Sequence, residues 1–226
     1  MRNMIRVAID GTASAGKGSI AKGLSRKMGV AYVDTGSMYR ALALMLIRKS
    51  KSLNDFEAIK KELTVFNFRF SWQDEQRCIW LNGEDISSEI RTEDVGQGAS
   101  IVSAHALVRD RLSEIQKKIA QERSVVMDGR DISTVIIPNA ELKVFVDADI
   151  WVRGKRRQAE LQGKGIALSL EQVVQDLKER DYRDMNRAIA PLKKDPEARV
   201  LDTTNLTIEE GIRTLEGWVR EVSGVG

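Results

Sequence analysis

The chain has 226 residues, of which 42% are hydrophobic and 31% are charged, and its net charge at pH 7 is +3. These values are typical of an ordinary globular protein, and the length suits one large domain or one domain carrying an insertion. No apolar run approaches the ~18 residues that a bilayer-spanning helix needs, so we expect no membrane partner. Met1 to Arg6 leads straight into the first predicted strand, which leaves no room for a signal peptide.

Cysteine and histidine occur once each, as Cys78 and His105. A single cysteine cannot form an internal disulfide, which suits a reducing compartment, and we expect a cytoplasmic protein. One cysteine with one histidine also argues against a structural zinc site. The small positive charge suits small polyanionic ligands. Because there is no basic stripe with interleaved aromatics, we expect no nucleic-acid partner.

The stretch from Gly11 to Ser19 is a loop of small residues between an apolar run, Ile5 to Ile9, and a helix-like segment. Its pattern G-x-x-x-x-G-K is typical of phosphate-binding P-loops. Small residues let successive backbone N–H groups surround a phosphate, while the following helix presents its positive end to it. Lys17 would add a full positive charge. A tight turn that merely contains a lysine is the alternative, but the strand-then-helix context favours a nucleotide site.

The residue after Lys17 departs from the usual P-loop motif. A serine or threonine that holds Mg²⁺ normally stands there, whereas this chain has Gly18 and places the hydroxyl one position later, at Ser19. The loop alone does not decide between a false match and a P-loop variant.

Apolar runs alternate with helical patterns along the chain, which predicts an α/β fold with a parallel sheet covered by helices on both faces. The five predicted strands are Ile5–Ile9, Val30–Val33, Ser124–Met127, Leu142–Val146 and Arg199–Leu201. Each runs into an aspartate, at Asp10, Asp34, Asp128, Asp147 or Asp202. In such sheets ligands bind beyond the carboxyl ends of the strands, although for Asp147 and Asp202 we expect capping of the next helix.

A stretch between the second and third of these strands has a different pattern. Val65 to Phe70 alternates as a half-buried strand does, and Cys78 to Leu81 is a second strand. Asn82-Gly83 predicts a tight turn into a third short strand at Asp85-Ile86. We therefore predict a small antiparallel subdomain inserted at residues 63–91.

The helix predicted from Leu170 to Ala188 has an apolar face that turns into charged residues. That face holds Leu170, Val173, Val174 and Leu177, and the same stripe continues through Arg180, Asp184 and Arg187. One interpretation is a solvated, salt-bridged helix end with Glu179, Asp181 and Asp184 as partners. The alignment with the core face favours the other interpretation, in which the guanidinium groups point inward and grip phosphate.

Further arginines follow the predicted strands or lie on the next helix. They are Arg40, after Asp34-Thr35-Gly36, Arg130, before Asp131, and Arg153, Arg156 and Arg157, on a helix from Ile150 to Gln162. That helix ends in glycines, as expected of a mobile lid, which we predict at residues 150–166. Each arginine alone fits a surface position, but together with a P-loop they indicate a site for two phosphorylated ligands.

Two phosphorylated ligands indicate phosphoryl transfer onto a phosphate. The transition state spreads negative charge over the transferred group, so catalysis is positioning with electrostatic stabilisation. A phosphate acceptor is already an anionic nucleophile and needs no general base, whereas a hydroxyl acceptor normally wants a carboxylate beside it. Water must be kept out, and a lid with a closing insert does this.

Several blocks of the chain form a recognisable set. They are Ile9-Asp10-Gly11 with Gly16-Lys17-Gly18-Ser19, Asp34-Thr35-Gly36-Ser37-Met38-Tyr39-Arg40, Asn82-Gly83-Glu84-Asp85-Ile86 with Ile90-Arg91-Thr92, Asp128-Gly129-Arg130-Asp131, and Glu179-Arg180-Asp181 with Arg183-Asp184-Met185-Asn186-Arg187-Ala188. Over nearly the whole chain these blocks resemble the bacterial cytidylate kinases, a group of nucleoside monophosphate kinases. In that family a glycine follows the P-loop lysine, which accounts for Gly18. The resemblance implies a single P-loop kinase domain over residues 1–226, and we expect a monomer.

By that resemblance the reaction is the ATP-dependent phosphorylation of CMP or dCMP to CDP or dCDP, with Mg²⁺. The ATP-binding residues would be Gly11, Thr12, Ala13, Ser14, Ala15, Gly16, Lys17, Gly18 and Ser19, and the CMP-binding residues Thr35, Tyr39, Arg40, Ser100, Arg109, Arg130, Asp131, Arg180, Asp184 and Arg187. The catalytic residues would be Lys17, Arg130, Arg153, Arg157 and Arg187, and the metal would be held by Ser19 and, through water, by Asp128. The carboxylate of Asp131 can accept a hydrogen bond from the cytosine amino group, where uracil offers a carbonyl.

The P-loop departs from the family pattern, Gly-Pro-Ser-Gly-Ala-Gly-Lys, at Thr12-Ala13-Ser14. The serine expected at Ala13 is missing, which removes a hydroxyl contact to the acceptor phosphate unless Ser14 substitutes. Ser14 replaces the second glycine and must either adopt a glycine-like turn or shift the loop. We expect adjusted affinity with the same reaction.

Two other functions stay open from the sequence. One is a kinase for another monophosphate, such as UMP or AMP. The other is a nucleotide-binding regulatory or RNA-associated protein without transferase activity, which only the basic composition and the lid arginines favour.

Overall fold

The computed structural model describes residues 4–73 and 76–223, which divide into two compact units. The first unit comprises Met1–Asp34 and Lys117–Gly226, and the second comprises Thr35–Gln116. The predicted insertion at 63–91 includes residues 74 and 75, which lie outside the described residues, and its limits stay a prediction. Within the described ranges, no helix is both long enough and apolar enough to cross a membrane.

The elements of both units follow the chain order expected from the sequence. The strands are β1 (Arg6–Gly11), β2 (Ala31–Asp34), β3 (Phe68–Gln73), β4 (Gln76–Leu81), β5 (Glu84–Asp85), β6 (Val125–Asp128), β7 (Leu142–Asp147) and β8 (Arg199–Asp202). The α-helices are α1 (Lys17–Met28), α2 (Thr35–Arg48), α3 (Phe56–Thr64), α4 (Glu93–Val102), α5 (Ala106–Glu122), α6 (Ile150–Gln162), α7 (Leu170–Asn186) and α8 (Ile208–Ser223). Short helical turns lie at Glu89–Arg91 and Ile132–Ile136.

The sheet of the first unit has five parallel strands in the order β2-β6-β1-β7-β8. β1 is central, and its residues from Val7 to Asp10 are buried on both faces. Ile9 is in register with Asp128 on one side and with Val144 on the other. The predicted α/β P-loop fold is confirmed, and each of its strands ends at or next to an aspartate at the same edge of the sheet.

Helix α1, which follows the P-loop, is fixed by close packing against α8. Ile20 of α1 covers Gly211, where an added Cβ atom would lie 2.7 Å from Ile20 Cδ1. Ile212 of α8 covers Gly23 in the same way, and an added Cβ there would overlap its side chain. The two glycines let the helices approach closely, and this packing anchors the helix whose first turn follows the P-loop.

The second unit combines helices α2, α3, α4 and most of α5 with a three-stranded antiparallel sheet in the order β3-β4-β5. Asn82 and Gly83 have φ values of 52° and 89°, as the predicted hairpin turn requires. The strand predicted to start at Val65 begins instead at Phe68, because Val65 ends α3 and donates its N–H to the carbonyl oxygen of Glu62. The predicted small antiparallel sheet is confirmed.

We predict that Gly11→Ala lowers the free energy of unfolding by at least about 2 kcal/mol. Gly11 has a φ of 145° and pairs with Val146 across β1 and β7, and an added Cβ would overlap the carbonyl oxygen of Val146. The control is Gly217→Ala in α8, where the space around the residue is open, and it should raise the free energy of unfolding by about 0.5–1 kcal/mol. Urea denaturation measures both variants, and parental stability of Gly11→Ala would contradict this explanation.

Candidate active site

The loop between β1 and α1 has the backbone of a phosphate-binding loop. Ser14 and Gly16 have φ values of 58° and 87°, so both lie in the left-handed region. Among the described residues no side chain caps α1, whose N-cap is Gly16, and the first N–H groups of the helix point into the space in front of it. Ser14 therefore adopts the glycine-like turn that the sequence offered as one of two outcomes.

Lys17 lies along this loop and is only 6% exposed. Its Nζ donates a hydrogen bond to the carbonyl oxygen of Thr12 at 2.5 Å. Burial, followed by the nearby charge of Arg130, lowers the pKa of Lys17 to about 7, while Asp128 acts in the opposite direction. A phosphate bound in front of α1 would supply an anionic partner and favour the charged form of Lys17.

Two threonines fasten the loop to the ends of neighbouring strands. Thr12 Oγ1 donates to Asp147 Oδ1, at the end of β7, at 2.6 Å. Thr203, just after β8, donates from Oγ1 to the carbonyl oxygen of Ala15 at 2.9 Å. Arg156 of α6 in turn donates to both the hydroxyl and the carbonyl oxygen of Thr203. The loop is thereby tied to the edge of the sheet on the β7–β8 side.

The prediction that Asp147 and Asp202 cap the following helices is wrong. Asp149 accepts hydrogen bonds from the first turn of α6, and Thr207 does the same for α8. Asp147 instead accepts a hydrogen bond from the Thr12 hydroxyl, and Asp202 accepts one from the Thr204 N–H in the turn that follows β8. The capping residues thus lie further along the chain than expected.

The charged end of α7 faces the interior of the first unit. Asp181 and Asp184 are each 6% exposed, so these two carboxylates are not solvated, whereas Glu179 is exposed. Arg130 Nε donates to Asp184 Oδ2 at 2.8 Å, and Arg187 Nη2 donates to Asp131 Oδ1 at 3.3 Å. Residues predicted to bind one ligand therefore meet as two ion pairs beyond the carboxyl end of β6.

Opposite charges keep Asp184 and Arg130 ionised. Burial alone would raise the pKa of Asp184, but Arg130, Arg180 and Arg187 together hold it below its usual value. Burial likewise opposes the charge of Arg130, yet Asp184, Asp181 and Asp128 together outweigh it and raise the pKa of Arg130. A phosphate could therefore replace the carboxylate on this guanidinium without any change of its protonation.

Asp10 fixes the segment that carries Arg130 and Asp131. Its carboxylate is 1% exposed and accepts hydrogen bonds from the N–H groups of Ile132 and Ser133, at 2.7 and 2.8 Å, and from the Ser133 hydroxyl at 2.5 Å. Burial raises the pKa of Asp10. Sequence reasoning missed this positioning role, and the signal available was a charged residue within an otherwise apolar strand.

The three arginines of the predicted lid helix are all bound to protein groups. Arg153 is 6% exposed, and its guanidinium contacts the P-loop and α7. Arg156 binds Thr203 as described, and Arg157 pairs with Glu160 one turn further along α6 at 2.7 Å. The roles of Arg153 and Arg157 over a transferring phosphoryl group stay predictions.

In the second unit the structure brings Tyr39 and Arg109 together. The guanidinium carbon of Arg109 lies 5.6 Å from the centre of the Tyr39 ring, and Arg109, 3% exposed, also donates to the carbonyl oxygen of Ser103. Arg40 donates to the carbonyl oxygen of Ile90 at 3.2 Å. The other two predicted residues of this unit are Thr35, at the start of α2, and Ser100, in α4.

The predicted metal ligands are Ser19 and Asp128. An added Cβ at Gly18 would lie 3.8 Å from Asp128 Oδ2, so this carboxylate lies beside the position where common P-loops carry the metal-binding hydroxyl, whereas Ser19 is exposed. The described part of the chain holds no group of three or more acidic, histidine or cysteine side chains placed to bind a metal. One carboxylate with phosphates and water is a usual environment of Mg²⁺, so these residues fit an ion that arrives with a nucleotide.

Comparison with known proteins points to one family. The family model described as cytidylate kinase matches residues 7–220. The cytidylate kinases of Lactobacillus johnsonii and Ligilactobacillus salivarius are 42% and 41% identical to this chain, over 207 and 221 residues. These alignments cover 92% and 98% of this chain and 90% and 99% of the two relatives. The cytidylate kinase of a Geobacillus species is 39% identical over 99% of this chain and 100% of its own length.

Solved structures share the fold at low sequence identity. An uncharacterised protein from Eubacterium ventriosum superimposes with a TM-score of 0.54 at 13% identity, over 97% of this chain and 99% of that one. A gluconokinase from Sinorhizobium meliloti gives a TM-score of 0.51 at 11% identity, over 99% of this chain and 96% of that one. At these identities the likeness concerns the fold alone.

Thr12→Val should lower the free energy of unfolding by about 1–2 kcal/mol. The variant removes the hydroxyl that donates to Asp147 Oδ1 at 2.6 Å while it keeps the size and branching of the side chain. Thr12→Ser keeps the hydroxyl and is the matched control, with a smaller expected loss. Urea denaturation without nucleotide compares the two, and equal losses would show that the hydrogen bond to Asp147 contributes nothing.

Proposed function

This chain belongs to the cytidylate kinase family, and we propose that it catalyses the ATP-dependent phosphorylation of CMP and dCMP to CDP and dCDP. The observation that carries the proposal is the pair of arginines, Arg130 and Arg187, bound to Asp184 and Asp131 at the edge of the sheet that also bears the P-loop. Donor and acceptor phosphates both need cationic partners, and a P-loop supplies only one such set.

ATP would bind with its terminal phosphates on the loop from Gly11 to Ser19. Support comes from the left-handed turns of that loop and from the N–H groups at the start of α1. Lys17 would exchange the carbonyl oxygen of Thr12 for a phosphate oxygen, since a phosphate compensates the buried ammonium better than a peptide dipole does. Mg²⁺ bound with the nucleotide, near Asp128 and Ser19, would neutralise phosphate charge.

The phosphate of CMP would replace carboxylates on Arg130 and Arg187. This exchange frees Asp131 to accept a hydrogen bond from the exocyclic amino group of cytosine, and it frees Asp184 to accept from the sugar hydroxyls. Uracil presents a carbonyl oxygen where cytosine presents the amino group, and a carboxylate cannot bind it. Ion-pair exchange therefore links phosphate binding to selection of the base.

Transfer of the γ-phosphoryl group needs few groups beyond those that bind the phosphates of ATP and CMP. An oxygen of the CMP phosphate attacks the γ-phosphorus of ATP, the bond from that phosphorus to the β–γ bridging oxygen breaks, and ADP leaves. The attacking oxygen is already anionic, so no general base is required. Lys17 and the arginines, Arg157 among them, stabilise the charge on the transferred group.

The predicted CMP-binding residues also include Tyr39, Arg40 and Arg109. Arg109 stacked on Tyr39 offers a buried planar cation beside an aromatic face, and Arg40 adds a second guanidinium. Thr35 and Ser100 complete the predicted set. The family resemblance supports this assignment, and single alanine substitutions with CMP titration would test it.

A panel of four monophosphates tests the reaction. With ATP and Mg²⁺, ADP release should be fast with CMP and dCMP, and kcat/KM for CMP should exceed that for UMP and AMP by at least about tenfold. Equal activity with UMP would contradict the selection by Asp131. ATP binding that does not respond to CMP, with no CDP formed, would indicate a regulatory nucleotide-binding protein.

Two variants should separate the donor and acceptor sides. Asp131→Ala should raise KM for CMP by about 10- to 100-fold and reduce the preference for CMP over UMP, with KM for ATP within about twofold. Lys17→Ala should abolish transfer while CMP still binds, as calorimetry would measure. Loss of CMP binding in Lys17→Ala, or a raised KM for ATP in Asp131→Ala, would contradict separate sides.

A further inference from the structure

A buried ion pair holds the P-loop on both sides of Ala13. Asp181 Oδ1 accepts a hydrogen bond from the Ala13 N–H at 3.0 Å. Arg153 Nη1 donates to the Ala13 carbonyl oxygen at 3.1 Å and to Asp181 Oδ2 at 2.5 Å. Arg153 Nε also donates to the carbonyl oxygen of Ala148 at 3.0 Å, and both charged residues are 6% exposed. We call Asp181 and Arg153 the Ala13 clamp.

Asp181, in α7, places a negative charge beside a loop that binds phosphates. A buried carboxylate beside the loop would repel an incoming triphosphate unless a cation neutralised it. Arg153 supplies that cation, so the Ala13 clamp presents little net charge to the loop. Asp181 supplies a hydrogen-bond acceptor and Arg153 a donor for the two peptide groups that flank the Cα of Ala13. Neither peptide group can rotate without breaking a charge-assisted hydrogen bond.

The clamped residue directly precedes the strained residue of the loop. Ser14 has a φ of 58°, a conformation that residues with a Cβ disfavour. The peptide group between Ala13 and Ser14 is the one whose carbonyl Arg153 holds. A rotation of that peptide would relieve the backbone strain at Ser14 and would reorient the Ser14 N–H.

We propose that Asp181 is a positioning residue for the ATP side of the reaction. With Arg153 it fixes both peptide groups around Ala13, and it thereby keeps Ser14 in the left-handed conformation that the phosphate-binding loop uses. Glycine would adopt this turn through its own conformational freedom, whereas this chain has serine and obtains the turn through contacts. The kinetic consequence for ATP rests on the proposed function.

Kinetics of Asp181→Asn provide the test. Asparagine keeps an oxygen for the Ala13 N–H but loses the ion pair with Arg153, so we expect KM for ATP to rise about tenfold with KM for CMP within about twofold. Glu179→Gln removes an exposed carboxylate from the same helix and should change neither KM. An unchanged KM for ATP in Asp181→Asn, or equal increases for both substrates, would overturn the proposal.

Ser14→Gly supplies an internal test of the mechanism. Glycine takes the left-handed turn without help, so in the Ser14→Gly background Asp181→Asn should raise KM for ATP by less than about threefold. If Asp181 only supported overall stability, the factor would be the same in both backgrounds, and that result would also overturn the proposal.

Amide hydrogen exchange separates this inference from the proposed reaction. In nucleotide-free protein the Ala13 amide, followed by NMR, should be protected in the parent and in Glu179→Gln and should exchange at least about tenfold faster in Asp181→Asn. Fast exchange of the Ala13 amide in the folded parent would overturn the inference even if CDP is formed. This measurement on the parent also decides the question if Asp181→Asn does not fold. Protection in a parent that forms no CDP would refute the reaction and support the Ala13 clamp.

Discussion

Burial of charge is the constraint on which the first unit depends. Asp131, Asp181 and Asp184 lie where water barely reaches them, and each contacts an arginine. An isolated buried carboxylate or guanidinium would cost on the order of several kcal/mol, so these acids and bases can be present only together. Without ligand the carboxylates keep the cationic groups neutralised and in place. A substrate phosphate can then take over a guanidinium at little further electrostatic cost.

The conformation of the P-loop follows from the same network. Asp181 and Arg153 reach the loop through the backbone of Ala13, and Thr203 reaches it through the carbonyl oxygen of Ala15. Because these contacts use main-chain atoms, they do not depend on which side chains stand at the two alanine positions. The loop can therefore depart from the family pattern at Ala13 and keep its turn. The left-handed Ser14 is the position where the departure has a conformational cost.

The parallel sheet and its strand-end aspartates could be predicted because alternating strands and helices allow few topologies, and parallel strands all end at one edge. The ion pairs could not be predicted, since Arg130 with Asp184 and Arg187 with Asp131 join residues 54 and 56 positions apart. Asp147 was expected to cap α6, but it accepts a hydrogen bond from Thr12, 135 positions away, and Asp149 caps the helix instead. The start of β3 at Phe68 was missed because Val65 fits a strand and a helix end equally well.

Phosphorus NMR of the protein with ATP, CMP and Mg²⁺ follows every phosphate of the reaction at once. If the arginine–aspartate pairs hold the phosphate of the acceptor and exclude water from attack, ADP and CDP should appear in equal amounts, with no inorganic phosphate while CMP remains. Inorganic phosphate formed in step with ADP, without CDP, would contradict this, because water would then be the acceptor.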